Sequence, residues 1–204
     1  MTKYLIQGLL IGFAYVAPIG MQNLYVINTA ATLSRKRAYQ VALITVFFDI
    51  TLALASFLGM GFLMEKFEII RLGVLLIGGI AVVIIGISLI RSNPELSKKL
   101  EVDKPLIKII GACFAVTWLN PQALIDGTLL LGGFRASLDP EGARLFIIGV
   151  CLASLTWFTG LATVVSLLKS QFNLKVMKII NIICGSIIIY SGLKLILKFI
   201  QNFI

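Results

Sequence analysis

Apolar residues fall in six long blocks along this chain, with polar residues gathered between them: Tyr4 to Asn28, Tyr39 to Leu63, Leu72 to Ile90, Ile107 to Leu131, Leu145 to Leu168 and Met177 to Leu197. A helix rises about 1.5 Å per residue, so roughly 20 residues cross a hydrocarbon core about 30 Å thick. Each block meets or approaches that length. The pattern therefore predicts an all-α, polytopic membrane protein of six transmembrane helices, with residues 1–204 forming a single transmembrane domain. The longest polar stretch, 91–106, carries Pro94, Ser97 and mixed charge, and is the natural joint between two halves at about 1–90 and 107–204.

Composition agrees with a bilayer as solvent: 59% of the 204 residues are hydrophobic and 13% charged, with a mean hydropathy of +1.02. The formal charge of +9 does not point to nucleic acid, because Lys and Arg cluster at block ends and in short loops, where they anchor helices and set topology. Arg35, Lys36, Arg37, Arg91, Lys98, Lys99, Lys104, Lys108, Lys169, Lys175 and Lys178 lie on one side. That is the larger share of the 18, so this side is expected in the cytoplasm and both termini outside. Lys3 ahead of an apolar run, with small residues at Ala14 and Ala17, has the outline of a cleavable signal. The run continues to Leu33, so the first block is expected to stay. Cys113, Cys151 and Cys184 lie within blocks at no CxxC spacing and read as small apolar packers. The chain has no histidine, which removes imidazole relays, His-containing zinc sites and His-activated nucleophiles, so no enzyme is expected.

Seven of the nine acidic residues stand in loops or at block ends; Asp49 and Asp126 stand inside blocks two and four. A charge at mid-bilayer costs about 2.5 to 3.5 kcal/mol on insertion scales. No Lys or Arg is expected at comparable depth, since Lys194 lies close enough to its block's end to snorkel. The bland reading is interhelical glue; the sharper one is a site for a cation or a proton. Two helix breaks accompany the acids. Pro18 and Gly20 fall at mid-span and are followed at once by Gln22 and Asn23, and Asn120 before Pro121 is the order of an N-cap and first helical residue. Each could be a simple proline kink. A helix that begins within the membrane, however, leaves backbone N–H groups free and presents the positive end of its dipole, which transporters use to hold anionic substrate groups.

Asn23 follows Pro18 by five positions, as Asp126 follows Pro121, and each proline lies in the opening block of a half. This faint repeat predicts two inverted three-helix units meeting at a midplane site. Block five has no acid to match Asp49; Ser154, Thr156 and Thr159 stand there instead. Gly8 with Gly12, and Gly78, Gly79 and Gly86, read as helix-packing faces. Trp118 and Trp157 lie inside blocks, away from an interfacial belt, and either line a cavity or pack.

GFAYVAPIGMQNLYVINTAATLSRKRAYQVALITVFFDITLALASFLG in the first half and TWLNPQALIDGTLLLGG in the second resemble the two signature regions of the LysE-type amino acid exporters, in order and spacing and over essentially the whole chain. The resemblance leans toward the lysine and arginine branch, because the Asn-Pro is followed by Asp126. It implies that Asp49 and Asp126 serve transport and bind substrate or protons. It also implies that Pro18, Gly20, Gln22, Asn23, Asn120, Pro121 and Gln122 form the substrate-binding helix breaks. Export of lysine or arginine by proton antiport across a bacterial inner membrane is the implied activity, driven by the proton motive force with no cofactor. The implied partners are the amino acid and the lipid bilayer. Met21 stands where a second proline is common, and Gln122 where a His is frequent. Two other activities stay open: export of neutral amino acids or small metabolites with the aspartates as proton carriers, and a cation or metal carrier, for which two carboxylates make a sparse shell.

Overall fold

The computed structural model describes residues 2–18, 20–59, 67–91, 105–120, 123–124, 127–136, 138–169 and 174–201, and all regular structure among them is helical. In chain order these are α1 (Thr2–Val16), α2 (Met21–Thr32), α3 (Arg35–Phe57), α4 (Glu68–Arg91), α5 (Leu106–Trp118), a π-helical turn (Thr128–Gly132) running into the single turn α6 (Gly133–Ala136), α7 (Pro140–Leu168) and α8 (Leu174–Ile200). Arg35–Phe57, Pro140–Leu168 and Lys178–Ile200 are each long and apolar enough to cross a membrane. The α1–α2 pair, bent by 79°, makes a fourth when taken as one broken span, and Leu75–Arg91 and Leu106–Trp118 are shorter apolar helices. The chain is thus a helical, multi-pass membrane protein.

Several helices outrun the apolar blocks that foretold them, because their ends are fixed by hydrogen bonding and not by lipid depth. Ser34 caps α3 by accepting the Arg37 N–H at 3.3 Å, so the helix starts four residues before the block. Its far end closes at Gly59, whose φ of 87° lies in the left-handed region that favours glycine; the Gly59 N–H donates to Ser56 O at 3.0 Å. α7 opens with Pro140 in its first turn, where the missing N–H is harmless, and Glu141 complements the dipole. At the ends of α2 and α7, the Lys169 ammonium donates to Leu33 O.

Lipid tails are as apolar as leucine, so helices in a bilayer associate through close packing and hydrogen bonds. Glycines provide the close packing. A Cβ placed on Gly8 or Gly149 would collide with backbone of the facing helix, Phe146 O and Leu5 O respectively, so α1 and α7 run in backbone contact. α4 and α8 repeat the device: a Cβ on Gly86 would lie 2.8 Å from Gly185 O, and one on Gly192 2.8 Å from Gly79 O. Gly78 likewise admits the Leu119 carbonyl at the end of α5. The outward faces carry exposed Leu10, Phe47, Ile69, Ile84 and Leu129, as lipid contact requires. Hydroxyls on such faces satisfy themselves: Thr156 and Thr159 donate to Leu152 O and Leu155 O of their own helix.

α2 occupies the centre. Nine of its 12 residues are buried. Met21 and Leu24 join Val82, Val116, Cys184 and Ile188 in one core cluster, while Val26 joins Val41, Cys113 and Phe158 in another. Asn28 donates through Nδ2 to Asn181 Oδ1 at 2.6 Å, tying α2 to α8 by a fully buried amide pair.

Candidate functional site

The break between α1 and α2 runs from Ala17 to Gly20, where the proline and glycine of the motif stand. Ala17 N–H still donates to Phe13 O, and among the described residues Leu24 N–H donates to Gly20 O. No side chain among the described residues caps α2. The N–H groups of Met21, Gln22 and Asn23 therefore lack intrahelical partners and carry the positive end of the dipole. α5 stops at Trp118, and the chain turns back into helical bonding when Leu124 N–H donates to Asn120 O at 3.4 Å. Pro121, Gln122 and Asp126 of the second motif lie outside the described residues.

Both breaks open on one cavity of about 280 Å³, lined by Ala14, Tyr15, Pro18, Gly20, Met21, Gln22 and Asn23 from the first, and Val116, Asn120, Ala123 and Leu130 from the second. The volume is near the lower end of small-molecule sites and suits one amino acid. Five residues marked by sequence, Pro18, Gly20, Gln22, Asn23 and Asn120, thus meet at one place although about 100 positions separate the motifs. Among the described residues no hydrogen bond engages the Asn120 amide, and Gln22 uses only its Nε2.

Asp49 lies one side chain behind this cavity. It is 0% exposed, and its carboxyl accepts from Gln22 Nε2 at 2.9 Å on Oδ1 and from Ser154 Oγ at 2.5 Å on Oδ2. Gln22 belongs to α2 and Ser154 to α7, so the carboxyl joins three helices. Both partners are neutral; among the described residues no Lys or Arg pairs with it. Ser154, which stands in the fifth block where an acid would complete the repeat, is thus the direct partner of Asp49. Its neighbours Thr156 and Thr159 face away.

Asn23 is placed differently from Gln22. Its Nδ2 donates to Val16 O at 3.1 Å and to Pro18 O at 2.8 Å, and its Oδ1 accepts from Trp157 Nε1 at 2.8 Å. Carbonyls can only accept and an indole N–H can only donate, so one amide orientation satisfies all three contacts. Asn23 is 2% exposed, and both its donors hold the orphan carbonyls of the break. Trp118 plays a related part at the other break: its Nε1 donates to Thr51 Oγ1 at 3.1 Å, linking the end of α5 to α3. Sequence patterning singled out both tryptophans only by their position inside apolar blocks, away from an interfacial belt. That displacement was the available signal.

Apolar helices packed around a cavity of small-molecule size, with a helix beginning at its wall and a buried carboxyl one side chain behind it, are the build of a membrane transporter for a small solute. The comparison with known proteins is specific. The chain belongs to the LysE type translocator family, whose model matches residues 13–199. It is 33% identical over 202 residues to the arginine exporter protein ArgO of Escherichia coli (strain K12), covering 96% of this chain and 94% of that one. To the arginine exporter proteins ArgO of Shigella flexneri and Enterobacter sp. (strain 638) it is 32% and 31% identical, with the same coverage. No solved structure matches.

Proposed function

We propose that this protein exports cationic amino acids, arginine or lysine, from the cytoplasm, in exchange for protons. The observation that carries the reading is the buried Asp49 carboxyl, held among the described residues by neutral groups alone, one side chain behind a cavity of amino-acid size. Relatives named as arginine exporters across nearly the whole length supply the substrate class. In this reading the substrate carboxylate sits at the uncapped start of α2, against the N–H groups of Met21 and Gln22, with the Asn120 amide beside it. The substrate cation is drawn by Asp126 and, through Gln22, by Asp49. Asn23 and Pro18 shape the break without touching substrate; Gly20 lets the carboxylate approach the backbone, and Pro121 and Gln122 shape the second break. Protons entering from outside neutralise the aspartates and release the amino acid. No cofactor is needed.

The same reading takes the chain as six spans in a bacterial inner membrane, built as two inverted halves joined by residues 91–106, with both termini outside. α1–α2 would be the first span, and α5 with the π-helical turn and α6 the fourth. The test is counterflow in proteoliposomes with labelled arginine, lysine and a panel of neutral amino acids. Arginine and lysine are expected to exchange and to compete with each other, and Asp49→Asn and Asp126→Asn are each expected to abolish exchange in folded protein. Absence of arginine or lysine movement under an imposed pH gradient would refute the proposal.

The enclosure of Asp49 behind Gln22 favours one second reading, in which Asp49 carries only a proton and the exported solute is neutral. Neutral amino acids would then exchange and cationic ones would not compete.

A further inference from the structure

Asn23 and Trp157 are 134 positions apart, on α2 and α7. Their contact sits where the proposed carboxylate site is most exposed to misplacement. Among the described residues no side chain caps the first turn of α2, so the direction of its free N–H groups depends on how the break from Ala17 to Gly20 is held. Asn23 reaches back across that break to Val16 O and Pro18 O, and the Trp157 indole N–H fixes the remaining face of the same amide. Trp157 is one helical turn from Ser154 on α7, so a single face of that helix holds both Asn23 and Asp49.

We propose that Trp157 is a specificity-determining positioning residue: through Asn23 it holds the start of α2 so that its N–H groups meet the α-carboxylate of the substrate. The inference rests on the proposed export of amino acids and adds to it the residue that makes the carboxylate count. Trp157 touches no part of the substrate. Removing its N–H leaves Asn23 Oδ1 without a donor in a buried place, and the amide and the break it clasps relax together.

The experiment measures KM for labelled arginine in proteoliposomes, and inhibition by agmatine, which keeps the guanidinium and lacks the carboxylate. In the wild-type protein arginine is expected to bind the tighter of the two. Trp157→Phe keeps the ring and loses the N–H; it is expected to raise the KM for arginine about tenfold and leave agmatine inhibition within about twofold, so discrimination falls about tenfold. Asn23→Ser is expected to do the same, and the double variant to do no more than Asn23→Ser alone, since both act through one contact. It also serves as the second variant should Trp157→Phe lower the folded yield. Equal weakening of arginine and agmatine, unchanged discrimination in both variants, or additive losses would overturn the inference. A wild-type protein that binds arginine and agmatine equally would instead overturn the carboxylate reading beneath it.

Discussion

Replacing Ser154 with Ala removes one of the two donors to Asp49, and the size of the loss reports what kind of acceptor that carboxyl is. Both residues are 0% exposed, and the Oγ to Oδ2 distance is 2.5 Å, so water does not replace the missing donor. Interhelical hydrogen bonds in membranes average about 0.6 kcal/mol by double-mutant cycles, with a maximum near 1.7. A bond to a charged group contributes about 1.5 to 3 kcal/mol. Ser154→Ala is therefore expected to destabilise the protein by at least about 1 kcal/mol when Asp49 is present, and by under about 0.5 kcal/mol in an Asp49→Asn background. Reversible unfolding of all four proteins in mixed micelles, read by circular dichroism, completes the cycle. A coupling above about 1.5 kcal/mol marks an ionised acceptor, and one near 0.6 a neutral acid. Ser154→Ala unfolding within about 0.5 kcal/mol of its parent in both backgrounds would refute the three-helix role given to this carboxyl.

Three further outcomes test the packing that holds the cavity. Gly86→Leu is expected to cost about 1 to 3 kcal/mol or to prevent α4 and α8 from meeting, because its side chain would enter the space of Gly185 and Ile189; Gly111→Ala, with nothing within 4 Å of its Cβ, is expected to be neutral or to stabilise by up to about 1 kcal/mol. Asn181→Leu leaves the Asn28 amide without its 2.6 Å acceptor and is expected to cost about 1 to 2 kcal/mol in the same unfolding assay.

Hydropathy made the helices legible and left their ends unread. The second block was expected from Tyr39, yet α3 starts at Arg35 because Ser34 can cap it there. Apolar content reports depth in lipid, whereas a cap reports a single hydrogen bond. Pro18 and Gly20 stand between the end of α1 and the start of α2, since a missing N–H and a missing Cβ act locally and need no knowledge of neighbours. Asp49 was conspicuous for its cost at depth. Its partner Ser154, 105 positions away, was marked only as the place where an acid was missing, and the clasp between Trp157 and Asn23 left no periodic trace at all. Contacts of that separation depend on how helices cross, and the π-helical turn at Thr128–Gly132 depends on local packing that a run of leucines and glycines does not specify.

α7 is a lever. Its 29 residues extend about 43 Å, and Ser154 and Trp157 lie roughly 20 Å or more from its Pro140 end. Leaning by about 5° around that end would carry both side chains some 2 Å sideways, enough to part Oγ from Asp49 and the indole from Asn23 in one stroke. Because Gly8 and Gly149 seat α1 directly on the same rod, the tilt would drag that helix along, so the roof of the chamber would shift as a piece while its acid lets go.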